Sequence, residues 1–268
     1  DTGAVTFQTA LVNPQDHLVV QSGSGQISIN ANLTMAAGKS LTLVSNYAST
    51  TAVLSNTQIT TGSVGIITTD SLNLLGSGGY GFLRTDNVIG AIASGGLYQD
   101  ASYPSTYNAP LSVSGAVPTA ANPIFIQVYD NANLVVGSVT SSIVTTTGIS
   151  YKTSVGVTAQ AGVFLRTMGT KSLTLNQKVT SLGANIVLVA GDNVAGTVST
   201  GGNFINNFGV GALSTDPSKT WFVYSNRPST VNTTTGLAGT DYSQLNGLVS
   251  GNYVIWNKVW GITTGTPS

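Results

Sequence analysis

The stretch VFLRTMGTKSLTLNQKVTSLGANIVL, residues 163–188, decides the fold that the sequence predicts. It contains three short alternating apolar pieces, Val163-Phe164-Leu165, Leu173-Thr174-Leu175 and Ile186-Val187-Leu188, separated by turns that contain Gly, Ser and Asn. Each piece predicts a strand of about three to five residues. Two or three such strands in every window of roughly 20 to 25 residues are typical of a parallel β-helix, in which each coil stacks on the previous one and buries inward-pointing aliphatic side chains.

Similar alternating pieces recur on both sides of this stretch. They include Leu18-Val19-Val20, Ile27-Ser28-Ile29, Leu33-Thr34-Met35, Leu41-Thr42-Leu43, Leu72-Asn73-Leu74 and Val155-Gly156-Val157. The pentapeptide Lys-Ser-Leu-Thr-Leu at residues 39–43 recurs at residues 171–175, as expected when equivalent coil positions need the same side-chain shape. Residues two apart on a strand share a face, so Thr42 and Thr174 are expected to point to solvent. One core is expected to contain Leu41, Leu43, Leu173, Leu175, Ile186 and Leu188.

The composition favours strands and turns throughout the 268 residues. Only 7% of the residues are charged, 41% are hydrophobic, 32 are Gly, and Glu is absent. Helices need Glu, Lys and Arg on their solvent faces, whereas Thr and Val suit pleated surfaces and Gly, Asn and Ser suit tight turns. The sequence therefore predicts an all-β protein and argues against a helical bundle or a βαβ nucleotide-binding fold.

Charge and cysteine content argue against further classes of protein. Nine Lys and Arg against nine Asp give zero net charge, which leaves no basic surface for nucleic acid or for an anionic membrane. No apolar run approaches the roughly 18 residues of a membrane-spanning helix, so we expect no membrane insertion. Because Cys is absent, disulfides, thiolate metal ligands and Cys nucleophiles are excluded.

Residues 97–122 interrupt the strand pattern. This segment carries Tyr98, Tyr103 and Tyr107 together with several prolines, and Pro is disfavoured in a central stacked strand because it lacks the ladder N–H. We therefore expect residues 97–122 to form an insertion in a β-helical body that spans residues 1–200. The three tyrosines are candidate contact residues, since Tyr is enriched at binding hot spots. The alternative is that their rings pin the loop to the rod.

The last part of the chain, residues 201–268, gathers bulky aromatic side chains. All three tryptophans, Trp221, Trp256 and Trp260, lie here, together with Tyr224. A stacked array must close its open end, and we expect these residues to form a closing segment or a junction to the next coil. The alternative is that exposed Trp and Tyr rings stack on a glycan.

Residue types with catalytic chemistry are sparse. His17 is the single histidine and is expected in a solvated turn. The nine Asp are scattered along the chain, whereas glycoside hydrolysis needs two carboxyls at a fixed separation. Asp70 and Asp86 are the example of a pair that neighbouring coils could bring together. We predict that the chain is not an enzyme and has no catalytic residue and no cofactor.

Two further motifs bear on metal binding and modification. Asp130-Asn131-Ala132-Asn133 resembles an alternating oxygen-ligand run, yet it lacks the Gly and the closing Glu of a calcium loop. We expect a turn in which these side chains bond their own backbone, and no metal site. Asn32 and Asn232 stand in N-glycosylation sequons, and the sequence leaves open whether either is modified.

A phrase towards the carboxyl terminus resembles a known family. Residues 202–209, Gly-Asn-Phe-Ile-Asn-Asn-Phe-Gly, are followed by Ala212-Leu213-Ser214-Thr215 and by residues 221–228, Trp-Phe-Val-Tyr-Ser-Asn-Arg-Pro. This phrase is similar to one in the large bacterial adhesins of the filamentous-haemagglutinin type, which are exported by two-partner secretion. Residues 26–31 and 38–43 are similar to the same family. Lys219-Thr220 and the Tyr-rich insertion depart from the family pattern.

The resemblance implies a right-handed parallel β-helix on a Gram-negative cell surface, as a downstream segment of such an adhesin. It also implies adhesion, biofilm or fibre building. The partner would be a host or bacterial surface receptor or glycan, or neighbouring copies of the chain. The expected function is therefore a non-enzymatic extracellular adhesin or surface-fibre segment. The alternatives are a self-assembling extracellular filament or sheath subunit and a polysaccharide-active β-helix enzyme.

Overall fold

The structure, a computed structural model, describes eleven parts of the chain. They are residues 4–22, 27–45, 54–55, 65–75, 79–94, 125–145, 148–159, 162–192, 202–225, 245–248 and 253–256. Within these parts the chain forms strands and turns and no helix, so the prediction of an all-β protein is confirmed.

The first sheet contains nine parallel strands among the described residues. In spatial order they are β1 (Val5–Phe7), β4 (Ile27–Ile29), β7 (Leu54–Ser55), β9 (Tyr80–Phe82), β11 (Phe125–Asp130), β16 (Gly162–Met168), β19 (Ile186–Asp192), β22 (Trp221–Ser225) and β23 (Tyr253–Trp256). Spatial order therefore follows chain order without exception in this sheet. Each strand is added at the edge that the previous one formed.

A second and a third sheet, also parallel, run beside the first. The second contains β2 (Leu11–Val12), β3 (Leu18–Ser22), β5 (Leu33–Thr34), β6 (Ser40–Ser45), β8 (Ile67–Leu75), β10 (Val88–Ser94), β12 (Leu134–Val136), β17 (Leu173–Leu175) and β20 (Phe204–Asn206). The third contains β15 (Val157–Ala159), β18 (Val179–Ser181) and β21 (Leu213–Thr215). The N–H of Ser94 donates to the carbonyl oxygen of Gly156 at 2.8 Å, so the third sheet continues from the end of β10.

From β11 to β21 the chain visits the three sheets in a fixed order. It runs through β11, β12 and β15, then through β16, β17 and β18, and then through β19, β20 and β21. We call each such circuit a pass, and we use the same word for the earlier runs of strands that begin in the first sheet at β1, β4, β7 and β9. Neighbouring passes are in register, since Val163 pairs with Ile126 on one side and with Ile186 on the other. This topology is compatible with a β-solenoid.

Asn side chains at the turns join one pass to the next. The Oδ1 of Asn32 accepts a hydrogen bond from the N–H of Ile66 at 2.9 Å, and the Oδ1 of Asn133 accepts one from Ser172 at 2.9 Å. The Asn185 Oδ1 accepts one from Thr220 at 2.9 Å. Turn backbone N–H groups lie outside the strand ladders, so these bonds satisfy donors that would otherwise need water.

One continuous core fills the space between the sheets. The predicted core residues Leu41, Leu43, Leu173, Leu175, Ile186 and Leu188 all belong to it and are fully buried, which confirms that prediction. Among the described residues the core extends from Val20 to Val223 and Leu248, and Phe7 of β1 and Leu11 of β2 pack against it. Thr174 is partly exposed on the outer side of β17, as expected.

The prediction that Thr42 points to solvent is wrong. Thr42 is fully buried, although it alternates with core residues as predicted. It lies under an antiparallel hairpin that the sequence interpretation missed, formed by β13 (Ser138–Thr145) and β14 (Gly148–Val155). The Oγ of Ser141 bonds both Thr42 Oγ1 and Asn73 Nδ2, the latter at 2.7 Å. The hairpin thus buries polar side chains on an outer face of the second sheet.

Several sequence predictions fall outside the described residues. These are the insertion at residues 97–122 with Tyr98, Tyr103 and Tyr107, and also Trp260 and Asn232. They stay predictions. The division of the chain into residues 1–200 and 201–268 also stays a prediction, and β19 and β22 pair directly across it.

Candidate binding face of the first sheet

The outer face of the first sheet carries the most chemically distinctive described surface. On β11, β16, β19 and β22 alternate side chains enter the core, among them Val128, Leu165, Leu188 and Val223. The residues between them must therefore point away from the core. They form two rows that cross the strands.

The first row consists of Gln127, Phe164, Val187 and Phe222. The strand register places these four residues directly opposite one another in β11, β16, β19 and β22. All four are partly exposed. Two phenyl rings thus stand on either side of a valine on a face that water reaches.

The second row consists of Tyr129, Arg166, Val189 and Tyr224, again in register. Tyr129 is partly exposed, whereas Arg166, Val189 and Tyr224 are buried. The guanidinium carbon of Arg166 lies 4.7 Å from the centre of the Tyr129 ring, which is a cation–π contact. The second row is therefore a packed support, and Tyr129 is its accessible end.

Two contacts join the two rows at Tyr129, and a third supports Tyr129 within the second row. Tyr129 packs edge-on against Phe164, with ring centres 5.5 Å apart and an angle of 71° between the rings. The Nε2 of Gln127 donates a hydrogen bond to the Tyr129 hydroxyl at 2.9 Å. Within the second row, the guanidinium of Arg166 lies over the Tyr129 ring. The orientation of the Phe164 ring is therefore set by neighbours as well as by the strand.

Arg166, the charged residue of the two rows, is paired with a buried carboxylate. The Nη2 of Arg166 lies 2.5 Å from the Oδ2 of Asp192, and the side chains of both residues are at least nine-tenths buried. Such a pair is costly to break, since removing one partner leaves a buried charge and typically costs about 3–5 kcal/mol. The face therefore presents rings, an amide and a hydroxyl with no net charge from its two rows.

A buried carboxyl lies at the end of β11. The Oδ1 of Asp130 accepts a hydrogen bond from the N–H of Ile89 at 2.8 Å, and the carboxyl also accepts from the N–H groups of Asn131 and Ala132. Its Oδ2 is buried and has no hydrogen-bond partner in the part of the chain that the structure describes. Burial raises the pKa of Asp130 to about 8, against the lowering effect of these hydrogen bonds and of Lys171.

The calcium-like run at residues 130–133 forms a turn in which the side-chain oxygens have different surroundings. Asp130 points inward, Asn131 is exposed, and the Oδ1 of Asn133 is bonded to the next pass. Across the described ranges, no group of three or more acidic or His side chains could hold a metal ion.

The carboxylates considered for catalysis have separate partners. Asp70 is exposed and accepts a hydrogen bond from the N–H of Gly38. Asp86 accepts one from the Nε of Arg84 at 2.7 Å, and this bond lowers the pKa of Asp86. His17 is exposed, as expected, and its Nδ1 accepts the N–H of Ser40 at 3.0 Å. Asp70 and Asp86 are therefore engaged in different local structures.

The aromatic residues predicted for the carboxyl-terminal closure take different positions. Trp221 points into the core and pairs with Ile186, whereas Tyr224 is buried in the second row of the outer face. Trp256 ends β23 and pairs with Ser225. Their role in closing or joining the array stays a prediction.

Sequence reasoning missed the two rows. The signal was present, because Phe164 and Arg166 alternate with Val163 and Leu165 and therefore had to face outward together. Their neighbours Gln127 and Phe222 come from strands far away in the chain, and only the register joins them.

Comparisons with known proteins add no identification. No protein-family model, no curated protein and no solved structure matches the chain. In the ranges that the structure describes, there is no helix of the length and hydropathy needed to cross a membrane.

Proposed function

We propose that this chain is a right-handed parallel β-helix that serves as a non-enzymatic adhesin or surface-fibre segment outside a bacterial cell. The observation that carries the proposal is the first sheet, in which the nine parallel strands that the structure describes follow one another in chain order. Each pass advances the chain by one strand spacing of about 4.8 Å, so nine strands span roughly 40 Å. A stiff rod of this kind holds a binding surface away from a cell.

Two further observations support the proposal. Crossover connections between parallel strands of one sheet are right-handed in about 98% of cases, which favours the right-handed form. The sequence phrases at residues 202–228 resemble filamentous-haemagglutinin-type adhesins, which supports secretion and a cell-surface location. The separate engagement of Asp70 and Asp86 favours adhesion over polysaccharide cleavage.

Attachment can be measured directly with coated particles. Fluorescent beads that carry the folded chain are expected to attach to epithelial cells or to a bacterial biofilm more than beads that carry the same chain after heat denaturation. Equal attachment of the two kinds of bead to both surfaces would contradict the proposal. Incubation with neutral and acidic glycans, followed by a reducing-end assay, tests the enzyme alternative, and we expect no new reducing ends. Negative-stain microscopy of the same sample tests the filament alternative, which predicts long polymers.

A further inference from the structure

The first row offers two rings at a fixed spacing. Phe164 and Phe222 lie two strands apart, with Val187 between them, so their attachment points are roughly 10 Å apart. The β-ladder fixes this spacing, and Tyr129 packs against Phe164 from the side. A row of rings that crosses the strands runs along the direction in which the passes stack. It therefore suits an extended ligand.

Polar groups stand beside the rings. Gln127 and Tyr129 are bonded to each other through the Gln127 Nε2, which leaves the amide oxygen as an acceptor and the phenol as a donor. Both side chains are partly exposed. This combination suits a ligand that has apolar C–H faces together with hydroxyl groups at its edges, as a sugar ring has.

The electrostatics select among such ligands. Arg166 is paired with Asp192 and covered, so it offers no cation to a sulfate or carboxylate group. The other members of both rows are uncharged. An anionic polysaccharide would lose its hydration here and gain no charge partner.

We infer that the first row, with the hydroxyl of Tyr129, binds a neutral polysaccharide whose sugar rings stack on Phe164 and Phe222. This inference rests on the proposed adhesive function and names the ligand class for it. Phe164 and Phe222 provide the stacking surfaces, and Gln127 and Tyr129 provide hydrogen bonds to the sugar hydroxyls.

Affinity electrophoresis tests the inference with the whole chain. Native gels are cast with hydroxyethylcellulose, with dextran, with alginate as an anionic polymer, or without polymer. We expect at least one neutral polymer to retard the chain. Phe164→Ala and Phe222→Ala should each reduce the apparent affinity roughly tenfold, which is the size of one lost ring contact.

Two variants separate stacking from folding. Phe164→Leu keeps an apolar side chain of similar size but has no ring, so it should keep the wild-type circular dichroism and still bind roughly tenfold more weakly, as Phe164→Ala does. Phe208→Ala removes an aromatic ring that is 44% exposed and lies away from the first row, and it should migrate as the wild type does in every gel.

Four results would overturn the inference. The first is that neither hydroxyethylcellulose nor dextran retards the chain, and the second is that the wild type and Phe164→Leu are retarded equally. The third is retardation by alginate alone. The fourth is slow migration in the gel without polymer, which would show self-association. Beads that attach to cells despite an absence of retardation would overturn this inference and leave the adhesive function standing. Retardation without bead attachment would support the inference and overturn the adhesive function.

Discussion

At the scale of single residues, Asp130 occupies the position that Asn87, an amide, occupies in the preceding pass. Asn87 Oδ1 accepts a hydrogen bond from Ile67 in the same way that Asp130 Oδ1 accepts one from Ile89. Asn87 also uses its Nδ2 to donate to the carbonyl oxygens of Arg84 and Tyr129. A neutral side chain with both an acceptor and a donor therefore fits this kind of buried turn.

The carboxyl of Asp130 should make the stability of the chain depend on pH. The pKa is about 8 in the folded chain against an ordinary value of 3.8. Below about pH 4 both folded and unfolded chains hold the proton, so the shift costs no stability. As the pH rises above this value, the Asp130 carboxyl ionises first in the unfolded chain. The free energy of unfolding therefore falls until the carboxyl also ionises in the folded chain, near pH 8.

Replacing Asp130 by Asn should therefore flatten the pH profile. Asp130→Asn keeps an acceptor for the N–H of Ile89 and removes the ionisation, so its gain in the free energy of unfolding should grow between about pH 4 and about pH 8 to several kcal/mol. Urea unfolding at a series of pH values measures this. Asp216→Asn is the control, because Asp216 is exposed and hydrogen bonds from Ser218 lower its pKa, so it is ionised in both the folded and the unfolded chain above about pH 4 and should leave the slope there nearly unchanged. Parallel profiles for the wild type and Asp130→Asn would contradict the prediction.

Thr42 and Thr174 show where local sequence stops deciding a residue's environment. Both stand in the pentapeptide Lys-Ser-Leu-Thr-Leu, and in both copies the leucines enter the core as predicted. Alternation fixes which face a residue occupies, but it does not fix what covers that face. Thr42 is covered by Ser141, which lies 99 residues further along the chain, and no sequence pattern near Thr42 predicts this contact.

The two threonines should therefore respond differently to the same substitution. Thr42→Ala removes a buried partner of Ser141 and should lower the free energy of unfolding by about 1–3 kcal/mol. Thr174→Ala, in the same local sequence, should stay within about 0.5 kcal/mol of the wild type. Chemical denaturation measures both values. Equal losses would show that the hairpin does not dock on Thr42.

At the scale of elements, the short parallel strands could be predicted and the docked hairpin could not be placed. Alternation and turn residues predicted β17 and the first part of β19, because their aliphatic residues must enter a core. The run at residues 138–155 also alternates, with Thr-Thr-Gly at its centre, which is a hairpin signal that was missed. Its docking on β6 and β8 depends on tertiary packing, which no local pattern contains.

Gly156 is the point at which the hairpin returns to the third sheet. It has a φ of 71°, and a Cβ added there would lie 2.2 Å from the carbonyl oxygen of Lys178. Gly156→Ala therefore combines a strained backbone with a clash against backbone atoms, and it should destabilise the chain by more than about 2 kcal/mol.

Gly169→Ala is the matched control for Gly156→Ala. Gly169 has a similar φ of 59°, but nothing lies within 4 Å of an added Cβ. Only the backbone cost of roughly 1–2 kcal/mol applies there. Thermal unfolding of the two variants compares them. A loss at Gly169 as large as that at Gly156 would show that backbone strain alone, and not the close approach to Lys178, governs the junction.

The candidate binding face could be predicted only in part from the sequence. The outward direction of Phe164 and of Phe222 follows from alternation within each strand and could be predicted. Their placement in one row depends on how many residues separate successive passes, and this number is 23 between Val163 and Ile186 but 35 between Ile186 and Trp221. Turns of variable length hide the register from a search for a fixed period, so the row is recognised only once the strands are paired.

At the scale of the whole molecule, stability should be distributed unevenly along the stack. A strand in the middle, such as β16, pairs with β11 on one side and with β19 on the other, whereas β1 pairs only with β4 among the described strands. When each unit contacts only its neighbours, the units at the ends lose the least on opening and open most often. The core side chains of the first pass agree with this, because Phe7 and Leu11 are only partly buried.

Hydrogen exchange followed by mass spectrometry should therefore show that amide exchange rates differ along the stack. Amides of β1 and β2 should exchange well before those of β16 and β19. Leu173→Ala, which removes a fully buried side chain at a typical cost of about 2–5 kcal/mol, should speed exchange first in β17 and in its partners β12 and β20. Strand β5, three strands away from β12 in the second sheet, should respond least, since a perturbation must pass through each intervening pair. Exchange of all these strands at one common rate, changed equally by Leu173→Ala, would mean that the chain opens as one cooperative unit and would contradict a stack held together by neighbour contacts.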